Sequence, residues 1–278
     1  MATAWPGVVR SSNMAGPSKL AKRRTCSRAC FVRATPRSAG ALRELSMNDE
    51  YGTSEQMIMA FDGFPRDTVK FLCDLKNNNN KKWFDEHRAT YEAAIKVPAK
   101  TFSEAMERDL EKLTGTAHNV KIFRINRDVR FSKDKTPYNT HVHVSFAPDV
   151  EASVTPVWSF GLAPKYLTLG VGIMGFEKRE LEAYRKRVDS PAGATLAKHI
   201  AALPKLGARL GGEPELKRVP KEFPVDHPRE ALLRRKSLTV WMEIDELALA
   251  NRPQLIKGCT TRYKKLMPIF EWLSELCA

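Results

Sequence analysis

The sequence predicts an α+β fold: helices first, then a mainly antiparallel sheet of about five strands, then a long C-terminal helix packed on that sheet. Three observations carry this prediction. Apolar residues recur at helical spacing from about residue 65 to Gly115, then switch to alternation, and return to helical spacing after Asn251. Four of the five alternating segments follow one another through short connections, which antiparallel pairing allows and parallel pairing does not.

The first helix is expected over "FPRDTVKFLCDLKNNNN", with Pro65 in its first turn and Val69, Leu72 and Cys73 on one stripe. The Asn run from 77 to 80 ends that helix and caps the next, on which Phe84, His87, Tyr91, Ala94 and Ile95 share a face. A third helix is expected to begin at Val97-Pro98, with Phe102, Ala105, Met106, Leu110 and Leu113 facing inward. The strands are "VKIFRI", "HVHVSFA", "VWSFGLA", "YLTLGVGIM" and "SLTVWMEI", each rich in β-branched or aromatic residues and bounded by turn formers. Helices are expected at 177–188 and 193–203, and the Pro-, Gly- and Lys-rich span 203–235 reads as a surface segment with one short amphipathic turn. In the last helix Asn251 is the expected N-cap. Leu255, Cys259, Tyr263, Leu266, Phe270, Leu273 and Cys277 form its stripe, with a kink expected at Pro268.

Composition sets outer bounds. A chain of 278 residues with 42% hydrophobic content can bury one core, and residues 60–277 read as one globular domain. No run free of Asp, Glu, Lys and Arg exceeds 13 residues, short of the roughly 18 to 20 a membrane-spanning helix needs, so no span is expected. The net charge of +14 is unevenly placed: residues 1–46 hold nine Lys or Arg against the single acid Glu44. An acid-poor segment rich in Arg, Ser and Ala is the composition of an organellar transit peptide, here a disordered leader read as chloroplast in preference to mitochondrion. Translation from Met47 would instead leave a cytoplasmic protein. The five cysteines form no CxxC pair, which argues for a reduced compartment without disulfides or structural zinc.

The chemistry concentrates in "RINRDVRFSKDKTPYNTH", residues 124–141. As a strand it puts Phe123, Ile125, Val129 and Phe131 on one face and Arg124, Asn126, Asp128 and Arg130 on the other. Arg127 is the one charge on the apolar side. An ion there needs a partner, because an unpaired buried charge costs several kcal/mol, and Asp128 and Asp134 are the nearest acids in sequence. "SKDKTPY" then reads as a loop, bringing Arg124, Arg130, Lys133, Lys135 and the Tyr138 hydroxyl towards one locus. Arginines presented together and steadied by aspartates make a bidentate receptor for phosphate or carboxylate.

The pattern RxxRDxRFxxDKxxY, carried by Arg124, Arg127, Asp128, Arg130, Phe131, Asp134, Lys135 and Tyr138, resembles the signature of a family of uncharacterised, mainly bacterial proteins, a domain of unknown function. "LKNNNNKKWFDEHRATY" and "DHPREALLRRKSL" are similar to flanking parts of the same family. The resemblance covers roughly residues 60–277. It implies one domain defined by the Arg motif, supplies no substrate, and excludes the leader, whose absence from bacterial members fits import into an organelle of bacterial ancestry.

The leading expectation is an anion-binding domain for a phosphorylated or carboxylated small molecule; whether it is an enzyme is left open. Arg124, Arg127, Arg130, Lys133 and Lys135 are the ligand-binding candidates. Asp128, Asp134 and Tyr138 are the catalytic candidates: the carboxylates orient Arg127 and Arg130 or act as base, and Tyr138 donates a hydrogen bond. Two alternatives stand beside it: a nucleic-acid-associated accessory protein, and an ion-pair network that fixes the loop and binds nothing. His141 and His143, two apart on one strand face, could with Asp128 approximate a two-histidine, one-carboxylate metal site, the weaker reading. No cofactor is expected. The sequence lacks GxSxG, GxxxxGK[ST] and HExxH, and the glycines of "LGVGIMG" lie inside a strand pattern, where they serve close packing or a bulge.

Overall fold

The computed structural model describes residues 61–152 and 154–276. The leader, Cys26, Cys30 and Cys277 lie outside them. α1 (Arg66–Asn77) buries Thr68, Phe71, Leu72 and Leu75. Asn80 caps α2 (Lys81–Glu86), its side chain accepting from the Trp83 N–H at 3.0 Å.

From α2 the chain stays helical through α3 (Arg88–Tyr91), a π-helical turn (Glu92–Lys96) and α4 (Val97–Thr114). The expected fresh start at Val97-Pro98 is therefore a continuation. Pro98 has no N–H for the Ala94 carbonyl one turn back, and the Thr68 hydroxyl of α1 donates to that carbonyl instead, at 2.6 Å. The widened π turn thus crosses a proline without leaving a buried acceptor orphaned.

Six strands follow: β1 (His118–Ile122), β2 (Val142–Pro148), β3 (Val157–Leu162), β4 (Leu167–Ile173), β5 (Ala208–Leu210) and β6 (Leu238–Ile244). They pair antiparallel throughout, in the order β1-β2-β3-β4-β6-β5. The sixth strand, absent from the sequence reading, is β5. Three residues within a polar segment carry too little periodicity to register, and β5 owes its existence to pairing with Val240–Met242.

Register sorts the side chains. Val144, Phe146, Trp158, Phe160, Leu169, Val171, Val240 and Met242 share one face, while Ser145, Ser159, Gly161, Thr168, Gly170 and Trp241 share the other. α4 and α8 (Leu255–Ser274) cover the apolar face. The Phe102 and Phe160 rings lie 4.1 Å apart, Trp158 packs against Tyr263 and Phe270, and the Tyr263 hydroxyl donates to the Ser159 carbonyl at 2.9 Å. On the other face Gly170 makes room for an indole, since a Cβ there would sit 2.5 Å from the Trp241 ring. Most of the buried apolar residues of helices and sheet form one continuous cluster.

α5 (Lys178–Val188) and α6 (Pro191–Ala202) follow β4, and the short α7 (Glu230–Leu233) precedes β6. α8 buries Leu255, Cys259, Tyr263, Leu266, Phe270 and Leu273, as their spacing predicts, and continues through Pro268. Asn251 does not cap it. It ends a 3₁₀ turn (Leu247–Asn251), and its amide donates to the carbonyls of Phe64 and Pro65 at 2.8 and 3.1 Å, fastening the start of α1. This close approach requires Gly63, with φ at 105°, because a Cβ there would lie 2.6 Å from the Asn251 carbonyl carbon. Cys259 is fully buried, and burial pushes its thiol up to about 12, as for a small core residue. Among the described residues no helix is long and apolar enough to cross a membrane.

Candidate functional site

The chain leaves the sheet at Phe123 and rejoins it at Val142, so the motif forms a long hairpin arm between β1 and β2. The expected strand ends at Ile122, and the face assignment fails with it. Ile125 is buried, yet Phe123 is 40% exposed and Phe131 93% exposed. Backbone pairing pins only the base of the arm: the Arg127 N–H donates to the Pro137 carbonyl at 2.8 Å and the Asn139 N–H to the Ile125 carbonyl at 2.7 Å, around the bridge Asn126–Tyr138. Beyond that bridge, side chains take over the role of the ladder, because Asp and Thr bond nearby backbone groups as readily as a partner strand would.

Three small clusters result, rather than one locus. Arg127, the cation singled out as needing a partner, donates to Asp134 Oδ2 at 2.7 Å, to the Thr136 carbonyl at 3.0 Å and to the Thr136 hydroxyl. Asp134 is held in turn by the Thr136 N–H at 2.9 Å and the Thr136 hydroxyl at 2.8 Å. In the second cluster Asp128 accepts a forked pair from Arg130, Nε at 2.9 Å and Nη2 at 2.7 Å, plus the Arg130 N–H at 3.2 Å. In the third, Lys135 donates to the carbonyls of Val129 and Arg130, at 3.0 and 3.4 Å.

These bonds fix the charge states. Hydrogen bonds from Arg130 hold the Asp128 carboxyl down at about 2, and those from Thr136 and Arg127 do the same for Asp134. Carboxylates so strongly held suit the orienting role better than that of a base working near neutral pH. Arg124, Lys133 and the neighbouring Lys121 are exposed, and none is within ion-pair distance of a carboxylate among the described residues. Arg130 keeps 77% of its side chain in solvent with its guanidinium 5.9 Å from the centroid of the Phe131 ring, and Lys121 Nζ lies 4.9 Å from that of Phe123.

Tyr138 does not join the cations. Its ring is buried and stacks on Phe84 of α2 at 4.2 Å, and burial, with Asp85 nearby, pushes its hydroxyl up from the usual range. The residue that sets it there is Asn79, which the sequence marks only as one of a run that ends one helix and caps the next. Asn79 Oδ1 accepts from the Tyr138 N–H at 3.0 Å and Nδ2 donates to the Tyr138 carbonyl at 2.9 Å, as a strand neighbour would.

A family model described as conserved hypothetical protein (DUF2461) matches residues 67–272. The chain belongs to that family. No curated protein matches it. The span matched by the DUF2461 family runs from α1 to α8 and takes in the arm whole, together with its docking partner, the Asn-rich turn. The stretch "DHPREALLRRKSL" is a structural clasp: His227 accepts the Arg229 N–H on Nδ1 at 3.0 Å, and its Nε2 donates to Asp189 at 3.1 Å. Arg229 and Arg235 donate to the carbonyls of Val188, Gly211 and Gly212.

His141, just before β2, and His143 on it adjoin the arm, with ring centroids 6.3 Å apart and the Phe123 ring stacked on His143 at 4.1 Å. Burial pushes both imidazoles down to about 4, with Arg127 adding to the effect at His141 and His141 and Lys121 at His143. Asp128, their suggested partner, gives both its oxygens to Arg130. Among the described residues no three His, Cys, Asp or Glu side chains are grouped to hold a metal ion.

Proposed function

We propose that the domain binds an extended polyanion, with the hairpin arm as its contact surface. One observation carries this reading. Between Lys121 and Tyr138 six cations stand against two carboxylates, and both carboxylates are engaged by Arg127 and Arg130, leaving Lys121, Arg124 and Lys133 exposed and outside ion-pair distance of any carboxylate among the described residues. A self-satisfied network beneath exposed cations reads as a brace, which lowers the ordering cost of binding. An arm standing in solvent suits a ligand with charges spread along its length better than a small molecule that must be enclosed. The two arm carboxylates act here by orienting guanidinium groups, and binding needs no catalytic step.

The test compares inorganic polyphosphate binding by the full chain and by an Arg124→Ser/Lys133→Ser variant over a salt series. A Lys264→Ser/Lys265→Ser variant, which removes equal charge from exposed positions on α8, is the control. Each phosphate contact contributes roughly 0.7 to 0.9 to the slope of log K against log salt. The arm variant loses up to about twice that amount and the α8 variant nearly none. Equal losses in the two variants, or none in either, overturn the proposal.

A further inference from the structure

Resting on the polyanion reading, we infer that the ligand is single-stranded nucleic acid, with Phe131 at the arm as the residue on which a base stacks. Phe131 is 93% exposed, the largest exposure of any large apolar side chain among the described residues. Exposure on that scale forfeits most of the free energy that burying such a ring contributes to folding. The neighbouring bonds hold it there. Asp128 forks onto Arg130 immediately before it, Asp134 caps the Thr136 N–H after it, and Lys135 ties the carbonyls of Val129 and Arg130, so the chain on both sides is fixed while the ring stays in water.

The ring also has a cation at its side. The Arg130 guanidinium lies 5.9 Å from the Phe131 centroid, and Arg124 and Lys133 are exposed with no carboxylate within ion-pair distance among the described residues. A flat apolar surface beside several cations matches a strand whose bases are unstacked and whose phosphates repeat, the combination that single-strand binders use. Duplexes keep their bases stacked on one another and offer this ring nothing to cover. A lipid surface would fit a wider apolar patch, whereas Phe131 is flanked by Arg130, Ser132, Lys133 and Asp134, whose charged and polar groups would have to follow it into the interface.

The experiment measures binding of oligothymidylate, the corresponding duplex, inorganic polyphosphate and phosphatidylserine vesicles to the full chain, to Phe131→Ala and to Phe131→Trp. Base stacking on an aromatic side chain is worth roughly 1 to 3 kcal/mol. Phe131→Ala should therefore weaken oligothymidylate binding about 5- to 150-fold and leave polyphosphate binding unchanged, while Phe131→Trp retains or strengthens it. Since the side chain is almost wholly in solvent, neither substitution threatens the fold. Equal affinity of wild type and Phe131→Ala for oligothymidylate overturns the inference, as does a preference for duplex or a Phe131-dependent affinity for vesicles alone. If polyphosphate binding still depends on Arg124 and Lys133, the polyanion reading survives that outcome; if neither probe depends on the arm, both readings fall.

Discussion

Asn79→Ala should detach the arm from the helical layer, and its size can be worked from two hydrogen bonds. The substitution removes the acceptor of the Tyr138 N–H and the donor to the Tyr138 carbonyl, leaving both groups of a residue only 6% exposed without their partners. An orphaned buried polar group costs about 1–3 kcal/mol, and because Asn79 itself is only partly buried, water reaches the gap and the lower end applies to each. The expected loss is about 2 kcal/mol, which for a domain of this size lowers Tm by about 4–8 °C. Thermal unfolding followed by circular dichroism measures it. Hydrogen exchange then locates it, because the Tyr138 amide should lose protection in Asn79→Ala and keep it in Asn79→Asp, where a carboxylate oxygen still accepts. A melting temperature within about 1 °C of wild type, with Tyr138 exchange unchanged, would show that the arm stands without this clamp.

Two further outcomes follow from the same structure. Thr68→Val removes the hydroxyl that satisfies the Ala94 carbonyl beside Pro98, so it should cost about 1–3 kcal/mol in urea unfolding while Thr68→Ser costs little; equal stability of the two variants would refute this account of the π turn. Stability should fall as pH drops from 6.5 towards 4, because the unfolded chain takes up protons on His141 and His143 that the folded chain, with both imidazoles pushed down to about 4, does not. His141→Gln/His143→Gln should flatten the urea midpoint across that window, and an unchanged slope would count against it.

The helices and the apolar strands were legible because their signals are periodic and local: the stripe of α8 and the alternation of β2 appear in the structure as the spacing predicts. The arm was legible in composition and illegible in shape. Its apolar residues at 123, 125, 129 and 131 mimic a strand, but after Asn126 the backbone is held by the side chains of Arg127, Asp128, Asp134 and Lys135, and such bonds leave no period to read. The pairing of Arg127 with Asp134 could be anticipated from the cost of a lone charge. Docking of Tyr138 could not, since Asn79 lies 59 residues away and nothing in a run of four asparagines marks one of them as a clamp.

β5 has a consequence larger than its length. β6 reads "LTVWMEI", seven residues with a single charge, a composition with high β propensity and low charge that readily recruits other chains when its backbone is bare. β5 and the Gly211 N–H occupy the hydrogen-bonding edge of β6 from Thr239 to Met242. The sheet then ends on three residues with Arg209 among them, too short and too charged to template another strand. Protection against edge-to-edge aggregation thus rests on a strand too brief for its own sequence to announce, and loss of Ala208–Leu210 would make an intact enough core sticky before it made it unstable.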